Sequence, residues 1–238
     1  MLSTSAPAQR TAARVAGCFI LFTMATILFA NFAVNERLVA GNAAEIARNI
    51  LAHQTLFRLS IACDLLYCAG VVVLLTALYV ILRPVNRGVA VLGACFRLLY
   101  LLMWMVIALN SLYALRLLNG AEYLRVFEAE RLQALARLSI ANSFDVYYVG
   151  LLFYALASTV CGYLWLKSGY IPRALAAFGV LASAFCAACT FVFIISPGFS
   201  KVVNLWWFDS PMALFELAAG LWLLFKGLRL SGRVEAAT

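Results

Sequence analysis

Leu56 to Leu82 (LFRLSIACDLLYCAGVVVLLTALYVIL), the turn Arg83-Pro84-Val85-Asn86-Arg87 and Gly88 to Leu112 (GVAVLGACFRLLYLLMWMVIALNSL) decide the fold. Each apolar run exceeds the roughly 20 residues with which a helix crosses about 30 Å of hydrocarbon. The proline stops the first helix, and so short a link has no room for a domain. The stretch reads as a transmembrane hairpin with its basic turn at the cytoplasmic surface. Arg97 stands deep inside the second run, where lipid tolerates a guanidinium only beside a partner.

The rest of the composition agrees. The 238 residues are 66% hydrophobic and 12% charged, against about 25% charged residues in a soluble domain. An integral membrane protein follows, of a size for one helical bundle. Barrel strands alternate apolar and polar side chains, whereas these runs are apolar all round, which excludes a barrel. A net charge of +8 does not imply nucleic acid as a partner, because Lys and Arg flank the hydrophobic runs in small groups. The seven cysteines lie in apolar segments, so no disulfide framework is expected. Cys186 and Cys189 have C-x-x-C spacing but sit mid-helix among small apolar residues, and read as packing residues.

Outward from the hairpin, residues 1–12 read as a disordered cytoplasmic tail. The run Val15 to Val34 is too long for a signal peptide and reads as an uncleaved first helix. Asn42 is placed to cap a short outer-side amphipathic helix over 43–51, with Ile46, Ile50 and Leu51 on one face against the membrane surface. Residues 121–138 form a charged amphipathic segment, with Leu124, Phe127, Leu135 and Leu138 at helical spacing and Arg125, Glu128 and Arg131 on another face. A surface helix and an extension of the third span fit it equally well. A fourth helix over 143–166 ends at Lys167-Ser168-Gly169, Pro172 opens a fifth, Pro197-Gly198 closes it, and Ser210-Pro211 opens a sixth. The expected fold is all-α: a polytopic membrane protein, one domain over 13–230, with spans at about 15–34, 56–82, 88–114, 143–166, 173–196 and 211–229 and a cytoplasmic tail over 231–238.

With the N-terminus inside, nine Lys and Arg fall on the inner side and seven on the outer. Both short links, 83–87 and 167–173, are basic. The positive-inside rule then puts both termini in the cytoplasm; the inner membrane is the expected location.

Several stretches carry a resemblance. They are Arg14-Val15-Ala16-Gly17, the turn 83–87 continuing to Phe96-Arg97-Leu98, Gly162-Tyr163-Leu164, Ser168-Gly169-Tyr170-Ile171-Pro172-Arg173, and Glu216 with Leu221-Trp222-Leu223-Leu224-Phe225-Lys226-Gly227. Together they resemble the bacterial multi-spanning membrane family catalogued as domain of unknown function 4386. The resemblance covers nearly the whole chain, most thinly over 119–142. It implies a six-helix bacterial membrane protein and brings no catalytic role.

Depth follows from counting at about 1.5 Å per residue from the inner basic flanks. Arg97 comes ~15 Å above Arg87, and Glu216 ~15–20 Å above Lys226 and Arg229. Tyr100 and Tyr154 come at ~20 Å, Tyr67 and Trp104 at ~25 Å, and Asp64, Tyr148, Asn110 and Asp145 at ~28–35 Å. Arg97, Glu216, Asp64, Asp145, Tyr67, Tyr100 and Tyr148 are therefore the candidate ligand-binding set, a polar and aromatic funnel opening outward; for Asp64 and Asp145, closer to the interface, a plain interfacial role fits equally well. Trp206 and Trp207 suit an outer aromatic belt, and Tyr163, Trp165 and Tyr170 an inner one. A central Arg costs ~2.5–3.5 kcal/mol on insertion, while each Leu, Ile, Val or Phe returns ~0.3–0.6. About a dozen of the latter carry the third span across. Glu216 is the one acid at matching depth.

Two readings of that pair stay open: a device that fixes helix packing, or a functional site for a ligand, ion or proton. His53, the single histidine, reads as a solvated loop residue. No metal-ligand cluster, P-loop, nucleophile elbow or zincin motif is present, so no cofactor or metal is expected, and enzyme chemistry would rest on Arg, Asp, Glu and Tyr alone. The expected function is binding, sensing or translocation of a small molecule. A structural or regulatory subunit comes second, and an enzyme on a lipid-soluble substrate third. The lipid bilayer is the one partner the composition names. A protein partner is left open.

Overall fold

The computed structural model describes residues 6–196, 198–204 and 206–229. Their regular structure is helical: α1 (Ala6–Leu28), α2 (Glu36–Leu38), α3 (Ala43–Ala52), α4 (Gln54–Leu82), α5 (Arg87–Leu118), α6 (Ala129–Ser168), α7 (Arg173–Ile195) and α8 (Trp206–Phe225). A π-helical stretch, Phe29–Asn35, joins α1 to α2, and short 3-10 turns precede α6 and α8. Six helices are long and apolar enough to cross a membrane. Their outward faces are apolar as well as their inward ones: Leu92, Leu98, Phe185 and Leu221 are all exposed. Only hydrocarbon suits a helix of that kind.

The described residues fall into two compact units. The first takes residues up to Phe22, Gly70–Tyr100 and those from Leu151 onward; the second takes Thr23–Ala69 and Leu101–Gly150. In the first, α1 meets α4 where the Gln9 amide donates to the Ile81 carbonyl at 3.3 Å. Small residues then let helices approach closely. A Cβ on Gly17 would lie 2.5 Å from the Leu224 amide nitrogen and 2.7 Å from the Gly220 carbonyl oxygen, so α1 and α8 touch backbone to backbone. A Cβ on Gly179 would likewise strike the Phe215 ring, drawing α7 onto α8. The Thr159 hydroxyl donates to Ser183 at 3.0 Å between α6 and α7.

The second unit is held by an apolar core of Val34, Leu38, Ile46, Ile50, Phe57 and Ile61 with Leu115, Leu124, Ala136 and Ile140. α3 enters it through a capping box: Asn42 accepts from the Glu45 amide and Glu45 accepts from the Asn42 amide, both at 2.9 Å. Ile46 and Ile50 turn into the core while Leu51 stays exposed. α3 thus packs on its own unit, not flat on a membrane surface through all three.

Five boundaries differ from the sequence reading. α1 begins at Ala6, inside the expected tail, because Gln9, Ala13 and Ala16 are buried by neighbours; at the other end, burial of Val34 and Leu38 carries the first span on to Leu38. Segment 121–138 is neither a separate surface helix nor part of the third span. Gly120, with φ +63°, follows the end of α5, and from Ala129 the segment runs unbroken into the fourth span as α6. Its buried stripe is Leu132, Ala136 and Ile140, while Phe127, Leu135 and Leu138 lie outward. α8 starts at Trp206 and leaves Pro211 inside the helix, because Phe208 and Met212 are fully buried and hold the early turns in place; it ends at Phe225, short of the expected 229. Pro197, the side chain of Trp206 and tail 231–238 lie outside the described residues.

Candidate functional site

The turn after α4 sets the register of Arg97. Asn86 accepts a hydrogen bond from the Val89 amide at 3.1 Å and so caps α5. Ten residues beyond Arg87, the Arg97 side chain points into the first unit, where the residue is 5% exposed. Its Nη2 lies 3.2 Å from Glu216 Oε1 of α8 and also donates to Ser158 Oγ of α6 at 3.3 Å. The guanidinium carbon stands 5.0 Å from the centre of the Tyr154 ring, a cation–π distance. Tyr100 stacks on Tyr154 with centroids 4.7 Å apart. One helix therefore supplies the cation, another the anion, and α6 a hydroxyl and an aromatic face.

A cavity of about 30 Å³ adjoins the pair, and Ile20, Leu78, Arg97, Ser158 and Glu216 bring five helices to its walls. A volume of this kind needs about 10–15 Å³ per water. It suits one or two small polar species and falls far below the ~300–1,000 Å³ of a drug-sized site. Chemically, the centre offers N–H donors and a carboxylate acceptor side by side, in surroundings that strengthen both.

The candidate set divides between the units. Arg97, Glu216 and Tyr100 meet in the first. Asp64, Asp145, Tyr67 and Tyr148 belong to the second. There Tyr67 packs on Trp104 with centroids 4.8 Å apart, Trp104 meets Tyr147 edge to face at 6.2 Å, and Tyr147 meets Tyr148 at 5.9 Å. Asp64 is buried on the inward face of α4, and Asp145 is exposed on α6. Asn110 joins α5 to α6, donating to Ser143 at 3.4 Å while its carbonyl accepts from Ser139 at 2.9 Å. His53 is exposed at the end of α3. Of the expected inner aromatic belt, Tyr163 is exposed, whereas Trp165 is 3% exposed and packs on Tyr170.

Ser158 lies outside the candidate set. Its signal was present: Tyr154, Ser158, Cys161 and Trp165 recur at i, i+4, i+7 and i+11 and so share a face. A serine costs an apolar helix little, however, so nothing singled it out.

The sequence profile of one family, described as Domain of unknown function (DUF4386), matches residues 15–227. The chain belongs to this family. Arg97, Ser158 and Glu216 all fall inside the region shared with DUF4386, which runs from within α1 to just past α8. No curated protein and no solved structure matches the chain.

Proposed function

We propose that this protein binds a small polar molecule or ion inside its membrane-spanning bundle, for sensing or translocation, with Arg97 and Glu216 as the charged centre. The observation that carries the reading is a buried ion pair beside a small cavity lined by five helices. Ionisable residues inside a membrane-spanning bundle, facing its interior or a cavity, mark substrate, ion or proton sites as a default reading. The cavity's size favours a species of few heavy atoms. The setting we infer is the cytoplasmic membrane of a bacterium, with both termini in the cytoplasm, supported by the basic short links at 83–87 and 167–173.

A second reading has its own support: Ser158, Tyr154 and Glu216 already surround Arg97, so the pair can serve packing alone. Thermal melting of the full chain in mild detergent, across a panel of small anions, amines and polar solutes, separates the two. Binding at the pair predicts at least one solute that stabilises the wild type and leaves Arg97→Gln and Glu216→Gln unmoved. Equal responses from all three proteins across the whole panel would leave the packing reading standing.

A further inference from the structure

The second unit holds an ionisable group outside the Arg97–Glu216 centre, and its role does not depend on that centre. Asp64 is 4% exposed and lies well within a membrane-spanning helix. One turn earlier, Ser60 is 2% exposed, and positions four apart on a helix share a face. The Ser60 hydroxyl donates its single hydrogen to the Phe57 carbonyl at 2.8 Å. Its oxygen is thereby left with lone pairs only, and an ionised carboxylate is likewise an acceptor without a donor.

No protein group answers these acceptors among the described residues. Asp64 enters neither ion pair seen there and no hydrogen bond through its carboxylate. Every arginine of the unit, Arg58 on the same helix included, is exposed, and so is His53. The ionisable neighbours on α4 are the Cys63 and Cys68 thiols and the Tyr67 phenol, which gain only negative charge. From α5 the inward group is Trp104, and from α6 Tyr147 and Tyr148, with Asp145 exposed. A buried carboxylate so placed is retained only if something neutralises it. The Tyr67–Trp104 pair, one turn further along, adds ring faces that attract positive charge.

We propose that Asp64 and the Ser60 oxygen form the protein's part of a site for a small monovalent cation, a proton or an ion of sodium's size. A single carboxylate matches a single positive charge, which is why the class is monovalent. The position on the inward face of α4 keeps the site out of the lipid.

The test is the melting temperature of the full purified chain, wild type against Asp64→Asn, over a range of pH and of sodium chloride against choline chloride. Asparagine keeps the shape and removes the charge. The wild type should gain about 5 °C between low and saturating cation, and Asp64→Asn should stay flat. Stabilisation by sodium at constant pH identifies the metal ion; stabilisation on acidification, indifferent to sodium, identifies the proton. Labelling of Asp64 with dicyclohexylcarbodiimide, which adds to protonated carboxyl groups, separates the same two sources: sodium suppresses it in the first case and only alkaline pH in the second. Equal dependence of the two melting temperatures on both variables, with or without labelling, overturns the proposal.

Discussion

An arginine in the middle of a membrane-spanning helix is retained only where its charge is answered, and Arg97 is answered three times. Glu216 supplies the opposite charge, Ser158 a hydroxyl and Tyr154 a ring face. Removing one charge of a buried pair strands the other, at a cost of ~3–5 kcal/mol. Arg97→Ala and Glu216→Ala should each lower stability by about that amount in detergent. The Arg97→Met, Glu216→Leu double variant should recover most of the loss, since apolar side chains of similar volume leave nothing unpaired. Thermal melts of the four proteins form a double-mutant cycle, and additive losses would show that the pair contributes no coupling. The pair was legible in the sequence because a charge in an apolar run is conspicuous and counting rise per residue leads to its one acid at like depth. Ser158 was not, since a hydroxyl can satisfy itself on its own helix and leaves no trace in hydropathy. The burial of Asp64 was hidden for a different reason. Depth counting places a residue along the membrane normal and says nothing of which way it faces.

At the scale of elements, the glycines separate two kinds of small residue. A Cβ on Gly17 meets backbone atoms of α8, which cannot move aside without moving the helix. Gly17→Ala should therefore cost ~1–3 kcal/mol, as overpacking does in a filled core. Gly88, in the first turn of α5, is exposed, and a Cβ there meets only the Asn86 side chain at 3.7 Å. Gly88→Ala should be neutral or stabilising by up to ~1 kcal/mol, the helix-propensity gain of alanine over glycine. Comparing the two melting temperatures in one detergent checks both signs, and equal effects would mean that close approach of α1 and α8 contributes nothing. Hydropathy located all six helices, because the length of an apolar run is set by the bilayer and not by tertiary detail. It failed at the ends, where packing decides. Pro211 reads as a helix start, yet burial of Phe208 and Met212 extends α8 back to Trp206. The apolar periodicity of 121–138 gives a face through Leu135 and Leu138. The face that packs instead runs through the smaller Ala136, which allows closer contact.

For the molecule as a whole, the even number of spans makes orientation a single binary question. If all six helices of spanning length cross, both ends share one side. The two short links between spanning helices bear on which side that is. α4 and α5 are joined through Arg83-Pro84-Val85-Asn86 and α6 and α7 through Gly169-Tyr170-Ile171-Pro172, with Arg87, Lys167 and Arg173 at the flanking helix ends. Short links with basic residues stay on the cytoplasmic side, whereas charge in longer segments has less say. On that orientation, basic residues between α2 and α4, around the start of α6 and at Lys201 would fall on the opposite side, the first two groups interspersed with Glu45, Glu122, Glu128 and Glu130. α6, at 40 residues, is about 60 Å long at 1.5 Å per residue, twice the hydrocarbon thickness. On that orientation its charged first turns would stand clear of the bilayer on the opposite side. A reporter active only in the cytoplasm should work when fused after Thr238 or inserted at Asn86. A reporter active only outside should work when inserted at Gly120. Cytoplasmic activity at Gly120 together with external activity at Asn86 would invert the topology. Opposite sides for Asn86 and Thr238 would mean that one of the last four helices does not cross.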